Sequence, residues 1–114
     1  MHGRFGRTVL LVYSRSPNWQ SYIEARWLPR LVANAVVLDW SDRSTWRRSS
    51  SLVVRVFRHW APDRDFNPMA ILLPPRGRVR VLGFRRAFRD LKHGKEHSLR
   101  RAEAELFEFV ERGR

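Results

Sequence analysis

Residues 8–14 (TVLLVYS) constrain the fold of this chain more than any other segment. They are apolar and rich in β-branched side chains, and the apolar residues do not alternate with polar ones. A strand with this pattern is buried on both faces, because neither side carries polar groups suited to water. We therefore expect a β-sheet that is covered by helices.

The segment that follows this strand predicts a helix. Ser16 and Pro17 are typical of a helix start, with Ser at the N-cap and Pro at the first helical position. Pro29 lies inside the pattern and must kink the helix or end it early. Asn34 is a plausible C-cap. The apolar residues at helical spacing are Trp19, Tyr22, Ile23, Trp27, Leu28 and Leu31.

The remainder of the chain alternates between strand and helix patterns. Strands are predicted at 35–40, 69–73 and 78–84, and a helix is predicted at 52–60, where apolar residues follow helical spacing. Residues 85–91 form a basic loop or a short helix. The last helix is expected to begin at Ser98, to bury Leu99, Ala102, Leu106, Phe109 and Val110, and to expose Glu103, Glu105, Glu108 and Glu111.

The element order is therefore β-α-β-α-β-β-α, an α/β fold with three layers and a mixed four-stranded sheet. The helical connections favour parallel pairing among the first three strands. The short turn Pro74-Pro75-Arg76-Gly77 makes the last two strands an antiparallel hairpin. The alternative is a flavodoxin-like open α/β sheet, which would need the fourth strand to be parallel.

Composition limits the class of protein. The 114 residues fit one domain, which we place at 8–114 after a flexible basic leader at 1–7. The chain has no Cys, which excludes disulfides, thiolate metal sites and a cysteine nucleophile. No apolar run approaches the roughly 20 residues that span a bilayer. We expect a cytoplasmic protein, without a cofactor, and no motif specifies a reaction.

The chain resembles the thioredoxin-like fold superfamily. The element order carries the resemblance, together with Pro68 directly before the third strand, Gly83 in the fourth and Pro29 in the first helix. The family's Cys-x-x-Cys would fall at 18–21 or 21–24, depending on the alignment, and neither stretch contains Cys. The resemblance therefore implies a member without thiol–disulfide activity, since that exchange needs a thiolate.

A ligand cleft is predicted where the first two strands end. Ligands of open α/β sheets gather at the carboxyl ends of the strands, and the candidate residues are Ser14, Ser16, Asn18, Ser21, Asp39, Asn67 and Pro68. By resemblance to glutathione-binding relatives, the hydroxyl of Ser14 or Ser16 would activate a sulfur. Alternatively, Asp39 caps the next helix or pairs with Arg43.

The positive charge suggests a second kind of site. The formal net charge is +12, and 21 of the 23 basic residues are Arg. An arginine side chain can donate two hydrogen bonds to one phosphate. A coding sequence rich in G and C also raises the Arg content of a protein. The densest stretch is 76–101, where alternate strand residues share one side. Its candidate polyanion-binding residues are Arg76, Arg78, Arg80, Arg85, Arg86, Arg89, Lys92 and Lys95.

Two tryptophans and two histidines are further candidates for function or for the core. Trp46 lies between polar and basic residues, where it either contacts a base or protein partner or folds over the sheet edge, whereas Trp60 is expected in the core. His93 and His97 match H-x-x-E-H, a zinc-binding pattern on a helix. Gly94 and Ser98 favour a solvated loop there instead, so no metal is expected.

Three functions are compatible with these residues. The first is a non-redox thioredoxin-like binding or adaptor domain in a bacterial cytoplasm, with an unknown protein as its main partner. The second is an enzyme that holds a small anionic or thiol ligand at the first helix's N-terminus. The third is an electrostatic nucleic-acid binder. A homodimer is compatible with each of them, and a membrane partner is not expected.

Overall fold

Four strands form one mixed sheet, and four helices lie against its two faces. A computed structural model describes residues 7–31, 33–41, 52–60 and 68–112. The strands are β1 (Thr8–Tyr13), β2 (Ala35–Asp39), β3 (Met69–Leu73) and β4 (Arg80–Gly83). Helix α1 has three consecutive segments, Gln20–Tyr22, Ile23–Trp27 and Leu28–Leu31. The other helices are α2 (Leu52–Trp60), α3 (Arg85–Lys92) and α4 (His97–Arg112).

The strand order across the sheet is β2-β1-β3-β4. β1 pairs in parallel with β2 and antiparallel with β3, so that Leu11 lies between Val37 and Ala70. β3 and β4 form the predicted antiparallel hairpin. Because β1 is an interior strand, its apolar residues are covered by strands at both edges and by helices on both faces.

The direction of β3 differs from the prediction. Helical connections favour parallel pairing, but β3 runs antiparallel to β1. The end of β2 and the start of β3 therefore lie at the same end of the sheet. The connection that contains α2 leaves and re-enters the sheet at that end. Antiparallel pairing of β3 also excludes the flavodoxin-like alternative, in which all four strands would be parallel.

The core lies on both faces of the sheet, as the uninterrupted apolar pattern of β1 predicts. Val9 and Leu11 face α1, α3 and α4, where Trp27 and Phe88 are buried. Leu10 and Val12 face the opposite side, where Val54 and Phe57 of α2 cover them. The helices thus form the two outer layers of a three-layer arrangement.

The predicted strand β2 forms at the edge of the sheet and is less buried than β1. Val36 and Val37 are adjacent, so their side chains point to opposite faces. They are nevertheless 42% and 44% exposed. The side chains of both residues are therefore partly accessible, in contrast to the buried strand that the apolar sequence of β2 suggests.

Helix α1 adapts to Pro29 by changing its hydrogen-bond pattern. The helix begins at Gln20, after a turn at 17–19 in which the Ser16 carbonyl accepts hydrogen bonds from the N–H groups of Trp19 and Gln20. The segment Ile23–Trp27 is π-helical, and the Leu28 N–H donates to the carbonyl of Ile23. Proline lacks an N–H and clashes with the preceding turn. The wider π turn makes room for it, and the helix continues to Leu31.

Two helix starts and the burial of one residue differ from the predictions. α1 begins at Gln20, after the expected start at Ser16 and Pro17, and α4 begins at His97, one residue before the expected cap at Ser98. Trp60 ends α2 as predicted, but it is 42% exposed and not in the core. No helix among the described residues is long and apolar enough to cross a membrane.

Candidate polyanion-binding groove

The β3–β4 hairpin places three arginines on one side of the sheet. Alternate residues of an extended chain face the same way, and the hairpin follows this rule. Val79 and Val81 pack toward α2, whereas Leu82 packs on the opposite face with α1, α3 and α4. Arg80 in β4 has the same parity as Leu82, and Arg76 and Arg78, in the segment that leads into β4, line the same groove.

Helix α4 forms the other wall of this groove. Its contributing residues recur three or four positions apart, which places them on one helix face. The groove has a volume of about 400 Å³. Its lining residues are Arg7, Pro74, Arg76, Arg78, Arg80, Arg101, Ala104, Glu105, Glu108, Phe109 and Arg112. We call it the basic groove, since it holds six arginines and two glutamates.

The two glutamates neutralise part of the charge in the basic groove. Glu105 forms an ion pair with Arg80, and Glu108 accepts a hydrogen bond from Arg112 at 2.7 Å. Among the described residues, no carboxylate pairs with Arg76, Arg78 or Arg101. These three side chains are exposed, so their guanidinium groups can reach an anion in the groove.

Two of the groove arginines have other neighbours. The guanidinium of Arg7 lies over the ring of Phe109, 4.9 Å from its centroid. The Arg7 carbonyl also accepts a hydrogen bond from the Asn34 side chain at 2.9 Å. Arg101 contacts Nε2 of His97 at 2.8 Å. Arg7, the last residue of the predicted leader, is thus tied to the domain.

The remaining basic candidates form a second surface. Arg85, Arg86, Arg89 and Lys92 lie on α3, and their side chains are exposed while Ala87 and Phe88 are buried. Lys95 follows this helix. None of them lines the basic groove. The exposed face of α3 is therefore a second basic surface in the described part of the chain, apart from the basic groove.

A second groove, on the other side of α4, has balanced charge. It lies between α1 and α4 with a volume of about 840 Å³. Arg30 pairs with Glu111 at 2.5 Å and lies over the Phe107 ring, while Arg100 lies 3.7 Å from Glu103. The Arg30–Glu111 pair joins α1 to α4, whereas the Arg100–Glu103 pair lies within α4. The three glutamates that line this groove offset most of the charge of its four arginines and leave little net field for an anion. Sequence analysis did not find this groove, because its residues come from distant parts of the chain.

Glu103 is buried at the floor of this second groove, although it was predicted to be exposed. Its carboxylate accepts hydrogen bonds from Nε1 of Trp27 at 2.6 Å and from the Tyr22 hydroxyl at 2.8 Å. Burial, with the Glu103 hydrogen bond and charge, raises the pKa of Tyr22 to about 12. The signal for burial was present in the sequence, since Glu103 lies four residues after Leu99 and three before Leu106 on the apolar stripe.

The polar groups predicted to line a cleft make contacts within the chain. The Ser16 hydroxyl accepts from the Asn18 N–H at 3.1 Å, and the Ser14 carbonyl accepts from Nε1 of Trp19 at 3.1 Å. Asp39 pairs with Arg15 and accepts from the N–H of Ser41 at 2.9 Å. These residues therefore stabilise the start of α1 and the end of β2.

Two further cleft candidates, Ser21 and Pro68, lie outside both grooves. Ser21 is exposed on α1, and Pro68 is buried with its carbonyl accepting from the Phe84 N–H at 2.8 Å. Asn67 lies outside the described residues, as does Trp46. None of the cleft candidates lines either groove.

Tyr13 and Glu24 form a separate polar contact at the end of β1. The Tyr13 hydroxyl lies 3.4 Å from Oε2 of Glu24. Burial, with the nearby charge of Glu24, raises the pKa of Tyr13 to about 12.

The H-x-x-E-H segment forms a loop and the start of a helix, as Gly94 suggested. His93 follows α3 in a turn, and His97 is the first residue of α4, so the two do not share a helix face. Gly94 has a positive φ of 81°, which a residue with a side chain rarely adopts. Within the described part of the chain, no three His, Cys, Asp or Glu residues cluster to hold a metal ion.

Comparisons of the chain with models of protein families, with curated proteins and with solved structures found no match.

Proposed function

We propose that this chain is a non-redox, thioredoxin-like binding domain that binds a polyanion in the basic groove. The observation that carries the proposal is the convergence of six arginines on one concave surface, three of them without a carboxylate partner among the described residues. Arginine donates two parallel hydrogen bonds to a phosphate or sulfate group. A concave surface with a net positive charge also focuses the field on an anionic ligand.

The thioredoxin-like part of the proposal has separate support. The sheet is mixed and four-stranded, helices cover both of its faces, and Pro68 directly precedes β3 while Gly83 ends β4. These are the features on which the resemblance depends. With no Cys in the chain, binding rather than thiol exchange is the activity that such a domain supports.

The experiment compares two double variants with the same net charge on immobilised heparin, a sulfated polyanion. Arg76→Glu/Arg78→Glu alters the basic groove, and Arg86→Glu/Arg89→Glu alters the exposed face of α3. We expect the groove variant to elute at markedly lower salt than the α3 variant, because local contacts add to the field of the whole molecule. Equal elution of the two variants would show that net charge alone governs binding and would contradict the proposal.

A further inference from the structure

We infer that the ligand of the basic groove is a single strand of nucleic acid, held through consecutive phosphates without recognition of its bases. This inference rests on the proposed function, because it names the class of polyanion that the same groove takes. The spacing, shape and side chains of the groove each support it.

The hairpin arginines match a linear array of charges. Arg76, Arg78 and Arg80 alternate along the chain and line the same groove. Residues two apart in a chain lie at most about 7 Å from each other, here across the bend at Gly77 as well as along the segment that enters β4. The spacing between neighbouring phosphates along one nucleic-acid strand is similar. Each guanidinium can donate two hydrogen bonds to one phosphate. Three consecutive phosphates can therefore be held along one wall.

The opposite wall extends this array. Arg101 and Arg112 lie on α4 eleven residues apart, which corresponds to about 16 Å along a helix. A segment of three to four nucleotides fits this length. The predicted footprint is therefore short, at the lower end of what proteins that bind single strands cover.

The shape of the groove favours a single strand over a duplex. Its arginines line a concavity of about 400 Å³ between a hairpin and a packed helix. Proteins that read a duplex insert a protruding helix or ribbon into a DNA groove about 12 Å wide. Helix α4 is not free to do this, since Leu99, Leu106 and Phe109 pack it against the sheet. A duplex would reach only the rims of the groove, whereas one strand can enter it.

The described part of the groove offers no accessible ring for base stacking. Among the described residues that line it, the aromatic one is Phe109, which is 8% exposed and is covered by the guanidinium of Arg7. Base stacking needs an accessible ring. Contacts with phosphates are therefore the main source of affinity, and we expect little preference for sequence.

The ion pair between Arg80 and Glu105 provides a sensitive test. In the free protein, Glu105 competes with the ligand for the guanidinium of Arg80. Glu105→Gln removes the competing charge and leaves the side chain's size unchanged. Binding in the groove predicts that this variant gains affinity, by about threefold. The matched control is Glu96→Gln, which makes the same charge change outside the groove.

The experiment measures fluorescence anisotropy of a labelled oligothymidylate of about 12 nucleotides and of a duplex of the same length across a salt series. We expect tighter binding of the single strand, with a slope of log K against log salt of about −2 to −3, since each neutralised phosphate contributes about −0.7. Arg76→Glu/Arg78→Glu is expected to weaken binding about tenfold, and Arg86→Glu/Arg89→Glu about twofold. Unfolding curves of each variant check that it folds.

The outcomes separate this inference from the proposed function. If the duplex binds as tightly as the single strand, or if only heparin binds, while the groove variant still loses most affinity, then the groove binds polyanions but the ligand is not a single strand. If the groove and α3 variants weaken alike, or if Glu105→Gln and Glu96→Gln have equal effects, then the groove is not the site and both proposals fail.

Discussion

Glu103 links two helices through donors that have little access to water. Trp27 is fully buried, and its indole N–H donates to the Glu103 carboxylate, which is itself 6% exposed. A buried donor that loses its partner costs about 1–3 kcal/mol. The stability of the α1–α4 contact therefore depends on an acceptor at position 103 more than on the surface ion pairs nearby.

The first residue-scale prediction follows from this contact. Glu103→Ala is expected to lower the free energy of unfolding by about 2–3 kcal/mol, because it leaves the Trp27 N–H unpaired. Glu103→Gln keeps an acceptor oxygen and is expected to cost less. The control is Glu108→Ala, which removes an exposed pair worth about 0.5 kcal/mol or less. Urea unfolding, followed by Trp fluorescence, measures these differences, and equal losses for the two alanine variants would contradict the assignment.

A second residue-scale prediction concerns alkaline pH. The pKa of Tyr22 is raised from 10.0 to about 12 by burial and by Glu103, so the unfolded chain loses this proton first as the pH rises. The stability that depends on neutral Tyr22 is complete below pH 10 and is lost between about pH 10 and 12. Tyr22→Phe should therefore lose less stability than the wild type between pH 9 and about pH 11. An identical loss in both proteins, measured by urea unfolding at each pH, would show that Tyr22 does not contribute.

At the scale of the element, β2 is an unprotected edge. Edge strands in natural proteins are usually guarded by charged residues, Pro or bulges. Residues 35–38 of β2 (AVVL) include no charged residue or Pro, and the strand's charged residue is Asp39 at its end. Both Val36 and Val37 are exposed, and among the described strands only β1 pairs with β2, so we expect this edge to pair with another extended chain.

The element-scale prediction is that Val37→Lys improves resistance to aggregation with little change in stability. An exposed substitution of this kind usually changes the free energy of unfolding by about 0.5 kcal/mol or less. Light scattering on heating is expected to rise later in the variant than in the wild type. The control is Leu11→Lys on the neighbouring strand, which places a charge in the core and should unfold the protein. No delay in scattering would show that association does not begin at β2.

The sequence predicts these elements well where local pattern decides them. β3 and α2 have the predicted bounds, because each is an apolar segment of strong periodicity or composition between polar residues. The direction of β3 was not predicted, since strand direction depends on long-range pairing that residue pattern does not encode. The open edge at β2 was missed for the same reason, because an apolar strand does not reveal its position in the sheet.

At the scale of the whole molecule, the candidate site combines what the sequence predicts with what only the fold brings together. Arg76, Arg78 and Arg80 were predicted to share one side, and they line one groove, although only Arg80 lies in β4 and Arg76 lies in the bend that precedes it. Arg7, Arg101 and Arg112 join them because β1, the hairpin and α4 meet at one place. With a net charge of +12, the whole chain attracts anions to its surface. The basic groove is the place on this surface where we expect an anion to bind.

The π turn in α1 holds one residue more than an α-helix would need over the same turn. Each residue of an α-helix turns the chain by about 100°. Deleting one residue between Ile23 and Trp27 would therefore let this segment close as an ordinary α turn, and Trp27 would keep its orientation toward Glu103. Deleting one residue between Leu28 and Leu31, where the helix is α-helical, would instead rotate Leu31 out of the core. The π turn is thus the place in this helix where the chain best tolerates a change of length.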